Sequence, residues 1–309
     1  MSDDGNLARA AIDAMHEAFG EHEGRVVHVK GGWAEATFTA TPEGGALCRA
    51  PFLRGQPVRA LVRFSNGGGN PVAHDGDRGG RGIAVKLYLD GGERTDLLGI
   101  SVPVFTARTP EDFVAYVRLA RRDPDTGQPD MAAIGAFMEA HPETGAALAA
   151  AGALPPPASW LGVTYNGIHT FRWIASDGTA HWVRTRWTPD GGEESLTDEE
   201  AQHRDRDYLG ADLRDRLAAG PSSFTLLARL AEDGDALDDP TSAWPEEREA
   251  VAVGHLVVDR AIEPAETPSD IRVFDPMRLC DGIEPSGDPI LRFRPKVYDV
   301  SARGRWTGE

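Results

Sequence analysis

The spacing of apolar and polar positions changes character several times along the chain. Between Asn6 and His22, the residues Ala8, Ile12, Met15, Ala18 and Phe19 recur at helical spacing and predict an amphipathic helix ending at Gly20 or Gly24. From Arg25 to Leu89 the pattern shifts to short β-rich runs, RVVHVK, WAEATFTA, PVRALVRFS and GIAVKLYL, separated by Gly, Pro, Asn and Asp. These predict consecutive antiparallel strands, with one more near Asp96 to Val104. TPEDFVAYVRLARRD then places Phe113, Tyr116, Val117 and Ala120 on one face behind Pro110, which predicts a helix. A second, Ala-rich helix is expected from about Met131 to Ala151, stopped by Gly152 and Pro155-Pro156-Pro157.

Strand texture returns in YNGIHTFRWIA and TAHWVRTRW, which read as a hairpin around Ser176-Asp177-Gly178. Thr197 with Glu200 gives a capping-box pattern opening a helix to about Ala219, and SSFTLLARLA and VAVGHLVVDRAI read as two more strands. The last fifty residues, rich in Pro and Asp, are expected to wrap the molecule and close with a short helix near Tyr298. The expected fold is α+β, a closed antiparallel barrel of about eight strands with helices added outside and no βαβ alternation. Its divisions are a helical arm over 1–24, the barrel with inserted helices over 25–262, and a wrapping segment with the C-terminal helix over 263–309.

Composition adds three constraints. At 309 residues, 40% hydrophobic and 26% charged, the chain is globular and large enough for a core with an internal cofactor cavity. Its 32 Lys plus Arg against 49 Asp plus Glu give a net charge of −17, which repels phosphate backbones and argues against nucleic-acid binding, so clustered arginines need a local reason. Cys48 and Cys280 are too few for a disulfide framework or a Cys-based metal centre and fit a reducing compartment. The N-terminal MSDDGNLARA lacks the basic-then-apolar order of a secretory signal and no long apolar run follows, so a cytoplasmic protein without a membrane span is expected.

The commoner catalytic motifs are missing. The nine histidines contain no H-x-x-x-H, and there is no G-x-S-x-G, Walker loop or dinucleotide fingerprint. GDRGGRG, from Gly76 to Gly82, reads more readily as a turn between strands than as a phosphate cradle. DPDTGQPD, from Asp123 to Asp130, lacks the closing bidentate acid of a calcium loop.

Three separated pieces carry chemistry together: RVVHVKGGWAEATF, VRFSNGGGNPVAHDGDRGGRGIAVKLYL and RPKVY, from Arg294 to Tyr298. They resemble the heme catalase family, whose pieces read R-V-V-H-A-x-G, V-R-F-S-x-x-x-G followed by R-D-x-R-G-F-A-V-K, and R-x-x-x-Y. FTARTPEDF, IHTFRWIASDGTAHWVRTRW and FDPMRLCDGIEPSGDPIL extend the resemblance over most of Arg25 to Arg305. Within the family the chain is most similar to the short catalase-related peroxidases, a minimal catalase core.

The resemblance implies heme b, with Tyr298 as the proximal phenolate ligand of the iron and Arg294, four residues earlier, stabilising its charge. By itself Tyr298 reads more readily as a packing aromatic near a C-terminus, and it is the paired Arg294 and the upstream motifs that reverse this. His28 would be the distal acid–base group that drives heterolysis of the peroxide O–O bond, with Ser65 fixing its tautomer. Its alternative is a half-buried strand histidine, and on a regular strand His28 and Arg25 would face opposite ways, so a twist or bulge is expected there. Arg25, Arg63 and Arg305 match positions that bind the heme propionates, surface salt bridging being the bland alternative. Phe113 matches an aromatic stacked on the heme and is also the core face of its helix, while Val27 matches an apolar residue over the distal face.

The resemblance breaks at one strand. Where the family reads V-G-N-N-x-P-x-F-F, this chain has Leu98-Gly99-Ile100-Ser101-Val102-Pro103-Val104-Phe105, which puts Ile100 at an Asn that helps hold peroxide. Ser101 is expected to compensate in part. The usual Pro after the tyrosine is missing, and nothing matches the C-terminal helical domain or the long N-terminal arm of full catalases. The resulting expectation is a peroxidase that reduces hydrogen peroxide or an organic hydroperoxide with a small organic donor, with weak dismutation. Alternatives are an enzyme converting fatty-acid hydroperoxides, like an allene-oxide synthase, and a non-catalytic heme-binding barrel.

Overall fold

The structure, a computed structural model, describes residues 3–21, 24–121, 123, 126, 128–263 and 272–307, with side chains described between 5 and 304. The alternating runs become β1 (Gly31–Ala40), β2 (Val58–Asn66), β3 (Arg81–Tyr88), β4 (Arg94–Ile100), β5 (Tyr165–Asn166), β6 (Phe171–Ile174), β7 (Ala180–Pro189), β8 (Ser222–Leu230), β9 (Ala250–Ile262) and β10 (Ile283–Pro285). Antiparallel pairing runs β7-β5-β4-β3-β2-β1-β9-β8 and returns from β8 to β7, so eight strands close a barrel, while β6 and β10 extend it beside β7. One side of each strand fills the barrel: Phe38, Val62, Phe64, Leu87, Phe224 and Leu256 are fully buried in one cluster.

The helices are α1 (Asp3–Phe19), α2 (Pro42–Leu47), α3 (Pro110–Leu119), α4 (Met131–Ala140), α5 (Pro142–Ala153), α6 (Asp198–Gln202), α7 (Tyr208–Ala219) and α8 (Pro289–Thr307). Four local expectations are corrected. The single helix over 131–151 is two, because Pro142 cannot donate to the preceding turn and instead opens α5. The helix from Thr197 to Ala219 is also two, a capped five-residue α6 and then α7. The C-terminal helix is not short: Asp288 caps it through bonds from Ile290 N and Leu291 N at 2.8 and 3.1 Å, Pro289 takes the first position, and Pro295 is tolerated inside. Finally, RVVHVK is not a strand, for a reason that belongs to the site.

Pairing also aligns the outer face of β2, β3 and β4 in cross-strand rows. Ser65–Gly82–Ile100 form one row, Arg63–Ala84–Leu98 the next, Leu61–Lys86–Asp96 the third. In the third row Lys86 and Asp96 are an ion pair of 2.6 Å between side chains that are 3% and 0% exposed. Burial pushes the Lys86 ammonium down and the Asp96 carboxyl up, each opposed by its partner. The pair anchors the segment 273–278 over the sheet: Lys86 donates to Val273 O at 3.0 Å, Asp96 accepts from Asp275 N at 2.8 Å and from Arg278, and Phe274 packs under Lys86.

Asp96→Leu leaves a buried ammonium without its counter-charge and is expected to lower the unfolding free energy by about 3–5 kcal/mol. Urea denaturation checks this, and Lys86→Met added to Asp96→Leu is expected to recover a large part of the loss.

Candidate active site

A cavity of about 390 Å³ lies on this outer face, within the range of small-molecule sites. Its floor is the first two rows: Ser65, Gly82, Ile100, Arg63, Ala84 and Leu98 all line it. α1, α3 and α8 wall it through Met15, Phe19, Phe113, Val117, Phe293 and Val297, the inner edge of a cluster in which these three helices pack on one another.

The stretch expected as a strand, 25–30, turns sharply instead, and His28 sits in the left-handed region with φ +55°. Such a backbone costs about 1–3 kcal/mol for a non-glycine residue and persists only when its surroundings hold it. Arg63 does so: its Nη2 donates to His28 O at 2.6 Å and to Val29 O at 3.3 Å. Gly31 is required for that reach, since a Cβ there would sit 2.9 Å from the same nitrogen and 2.3 Å from Phe64 O. The turn brings Arg25, Val27 and His28 into one cavity, which a regular strand would not.

The imidazole rests against Gly82, where a Cβ would come within 3.0 Å of both His28 and Ser65 Oγ. His28 Nδ1 and Ser65 Oγ are 2.9 Å apart. Burial, then the charges of Arg63, Arg294 and Arg25, drive the His28 pKa down to about 3, so the ring is neutral with Nε2 as its remaining nitrogen.

On α8, Arg294 and Tyr298 share a face at four-residue spacing. Arg294 Nε and Nη2 both donate to Tyr298 Oη, at 2.8 and 2.5 Å. Its Nη1 lies 2.9 Å from His169 Nε2, and His169 Nδ1 lies 2.6 Å from Asp288 Oδ2. A guanidinium can only donate, so His169 Nε2 accepts and the proton of this neutral ring sits on Nδ1, facing the carboxylate. Burial lowers the His169 pKa. The sequence reading missed both His169 and Asp288. His169 lies where the expected hairpin strand breaks into β5 and β6, and Asp288 caps α8 through Oδ1 while Oδ2 holds the ring.

The remaining expected residues are placed as follows. Arg25 donates from Nη2 to Arg272 O at 2.7 Å, and Arg25 and Arg63 flank the Trp33 ring at 5.4 and 5.7 Å. Arg272, not singled out from sequence, lines the same cavity. Phe113 stacks on Phe105 with ring centroids 5.5 Å apart, and both line the cavity. Ile100 lines it, but Ser101 does not, because its Oγ accepts from Arg81 N at 2.8 Å and turns away from the site. Arg305 falls in the last turns of α8 and its side chain lies outside the described residues.

The glycine-rich loop before β3 is organised by its own charges. Arg81 donates to the carbonyls of Asp75, Asp77, Gly79 and Gly80, and the buried Asp75 accepts from Asn66, Lys30 and Leu209 N.

These residues suit a flat apolar macrocycle with acidic substituents. The cavity is walled by aliphatic and aromatic side chains, carries guanidinium groups that can meet carboxylates, and presents one phenolic oxygen already surrounded by donors.

The sequence profile of the family described as Catalase matches residues 13–309. The chain is 40% identical over 303 residues to a catalase-related peroxidase of Mycolicibacterium paratuberculosis, covering 96% of this chain and 93% of the relative. It is 35% identical over 298 residues to one of Synechococcus elongatus, covering 96% and 88%. Among solved structures, a fungal catalase superposes with a TM-score of 0.78 at 25% identity, covering 99% of this chain but 63% of the fungal one, so the chain spans under two thirds of that enzyme.

The His28 titration has a thermodynamic consequence in the cofactor-free protein. The unfolded ring takes up a proton as pH falls through 6.5, whereas the folded ring refuses it until about 3, so its contribution to stability is full above 6.5 and is lost as pH drops. Unfolding free energy measured against pH in that window is expected to fall less steeply in His28→Gln, by up to about 1.4 kcal/mol per pH unit.

Proposed function

The chain belongs to the catalase family, and we propose that it is a heme peroxidase that reduces hydrogen peroxide, or an organic hydroperoxide, with a small organic electron donor. The observation that carries the reading is the Arg294–Tyr298 pair and its His169–Asp288 support, sharing one cavity with the His28–Ser65 pair. Heme b, when bound, would supply the redox-active iron and macrocycle that give up the two electrons O–O cleavage needs. Tyr298 Oη would hold the iron, Arg25, Arg63 and Arg305 the propionates, and Val27 and Phe113 the faces of the macrocycle.

The chain's own residues then move the proton. With Nδ1–H donating to Ser65 Oγ, His28 Nε2 takes the proton from one peroxide oxygen and returns it to the other, which leaves as water. Burial keeps the ring neutral, so this base is ready at any pH well above 3. Arg294 keeps Tyr298 Oη an acceptor by filling it with two N–H bonds. Overall, peroxide takes two electrons and two protons and becomes two waters, while two phenolic donors each lose one electron and one proton and leave as phenoxyl radicals.

Weak dismutation follows from Ile100. A second peroxide acting as reductant needs a hydrogen-bond donor to position it, and Ile100 offers none, with Ser101 turned away. The free thiols of Cys48 and Cys280 support a reducing, cytoplasmic setting. No helix among the described residues is long and apolar enough to cross a membrane.

His28→Ala is expected to slow the reaction with peroxide at least about 100-fold in stopped-flow absorbance, and an unchanged rate would make the barrel a heme carrier. Tyr298→Phe is expected to change the ferric absorption spectrum and to release hemin faster to a scavenger, whereas identical spectra would remove this tyrosine from the iron. Ile100→Asn is expected to raise oxygen release relative to donor oxidation, read with an oxygen electrode beside a dye assay.

A further inference from the structure

Of the five tyrosines in the chain, four engage their phenol oxygen in a hydrogen bond. Tyr165 donates to Trp160 O at 2.8 Å and Tyr208 to Pro157 O at 2.6 Å, while Tyr298 accepts from Arg294 and Tyr88 from Arg272. Tyr116 makes none among the described residues. Its Oη is not sealed in protein either, so another group can reach it.

Tyr116 lies on α3, three residues after Phe113 and one before Val117, and all three line the cavity. Residues at this spacing share a helix face. On its far side the Tyr116 ring tilts against Phe137 of α4, with centroids 6.3 Å apart. Packing explains the ring but not the hydroxyl, since Phe113 and Phe137 fill the neighbouring places without one. Burial pushes the phenol pKa up, so the O–H is kept and can be donated. A tyrosine hydroxyl taken out of water ordinarily finds a partner, and leaving it without one costs stability. The missing partner is therefore sought outside the chain.

The surroundings say which kind. The side chains that α1 and α3 turn to the cavity are Ile12, Met15, Phe19, Phe113, Tyr116 and Val117, and among them Tyr116 alone carries an O–H or N–H. Phe105, stacked on Phe113, extends the same lining. This wall is apolar, largely aromatic and uncharged, with a single hydrogen-bond donor. A neutral aromatic ring bearing one oxygen matches it, whereas an anion would lose its hydration there for no opposite charge.

We infer that Tyr116 is a specificity-determining residue that seats a neutral phenol, the organic electron donor, by donating its O–H to the phenol oxygen while the donor's ring lies against the apolar lining beside Phe113. The inference deepens the peroxidase reading and rests on it for the fate of the phenol, but the binding does not.

The test is isothermal titration of the purified full chain, as isolated, with 4-methylphenol and with 1,4-dimethylbenzene, which has a methyl group in place of the hydroxyl. Tyr116→Phe is expected to weaken binding of 4-methylphenol about fivefold, the worth of one neutral hydrogen bond, and to leave 1,4-dimethylbenzene unchanged. Its thermal midpoint is expected to equal or exceed that of the parent, since the substitution breaks no internal bond. In turnover of heme-loaded protein the variant is expected to raise KM for 4-methylphenol about fivefold with kcat unchanged, and to react with peroxide at the parent rate in stopped-flow absorbance. Unchanged affinity for 4-methylphenol, an equal loss for both ligands or a lowered thermal midpoint would overturn the assignment. Protein that shows the selective loss of affinity but never oxidises 4-methylphenol would overturn the peroxidase reading and leave Tyr116 as a binding residue.

Discussion

The site depends on a group that can only donate hydrogen bonds. Arg294 stands between two side chains that could each act as donor or acceptor, and its guanidinium allows neither to donate toward it. Tyr298 Oη is thereby made an acceptor twice over, and His169 is confined to the tautomer that faces Asp288. Replacing this arginine by a neutral amide would leave two groups free to reorient. The same fixed positive charge adds to burial and to Arg63 in keeping His28 unprotonated, so one guanidinium acts at both functional ends of the cavity.

The barrel supplies the rigid part of this arrangement. Its inside is an ordinary packed core, and the chemistry sits on the outside of three neighbouring strands, where cross-strand rows set what lies beside what. Ser65, Gly82 and Ile100 are neighbours because the register makes them so, and a slip of one residue would turn all three inward. Helices α1, α3 and α8 close the site from above with aliphatic and aromatic side chains.

Much of the fold was legible because alternating runs bounded by Gly, Asn and Asp have few other solutions, and a closed barrel was the economical way to pair them. The Arg294–Tyr298 spacing was legible because four residues on a helix is a local rule. His169 and Asp288 were not, since their partnership joins positions 119 apart in the chain and no spacing rule spans a barrel. A signal existed: Asp-Pro at 288–289 is an N-cap followed by a first-turn proline, and it marks the start of a long helix through Tyr298 rather than a short one. The stretch from Arg25 to Lys30 misled for the opposite reason. Its β-branched residues favour a strand, but a buried arginine from β2 captures two of its carbonyls and bends it.

Asp288 begins α8 with one oxygen and steadies His169 with the other, so the origin of the helix and the position of the phenol ten residues later are tied to a single carboxylate. A helix advances about 100° per residue. Inserting or deleting one residue anywhere between that carboxylate and Tyr298 would therefore swing the phenol about a quarter turn out of the site, together with the packing residues beyond the change. The segment should tolerate substitution far better than any change in its length.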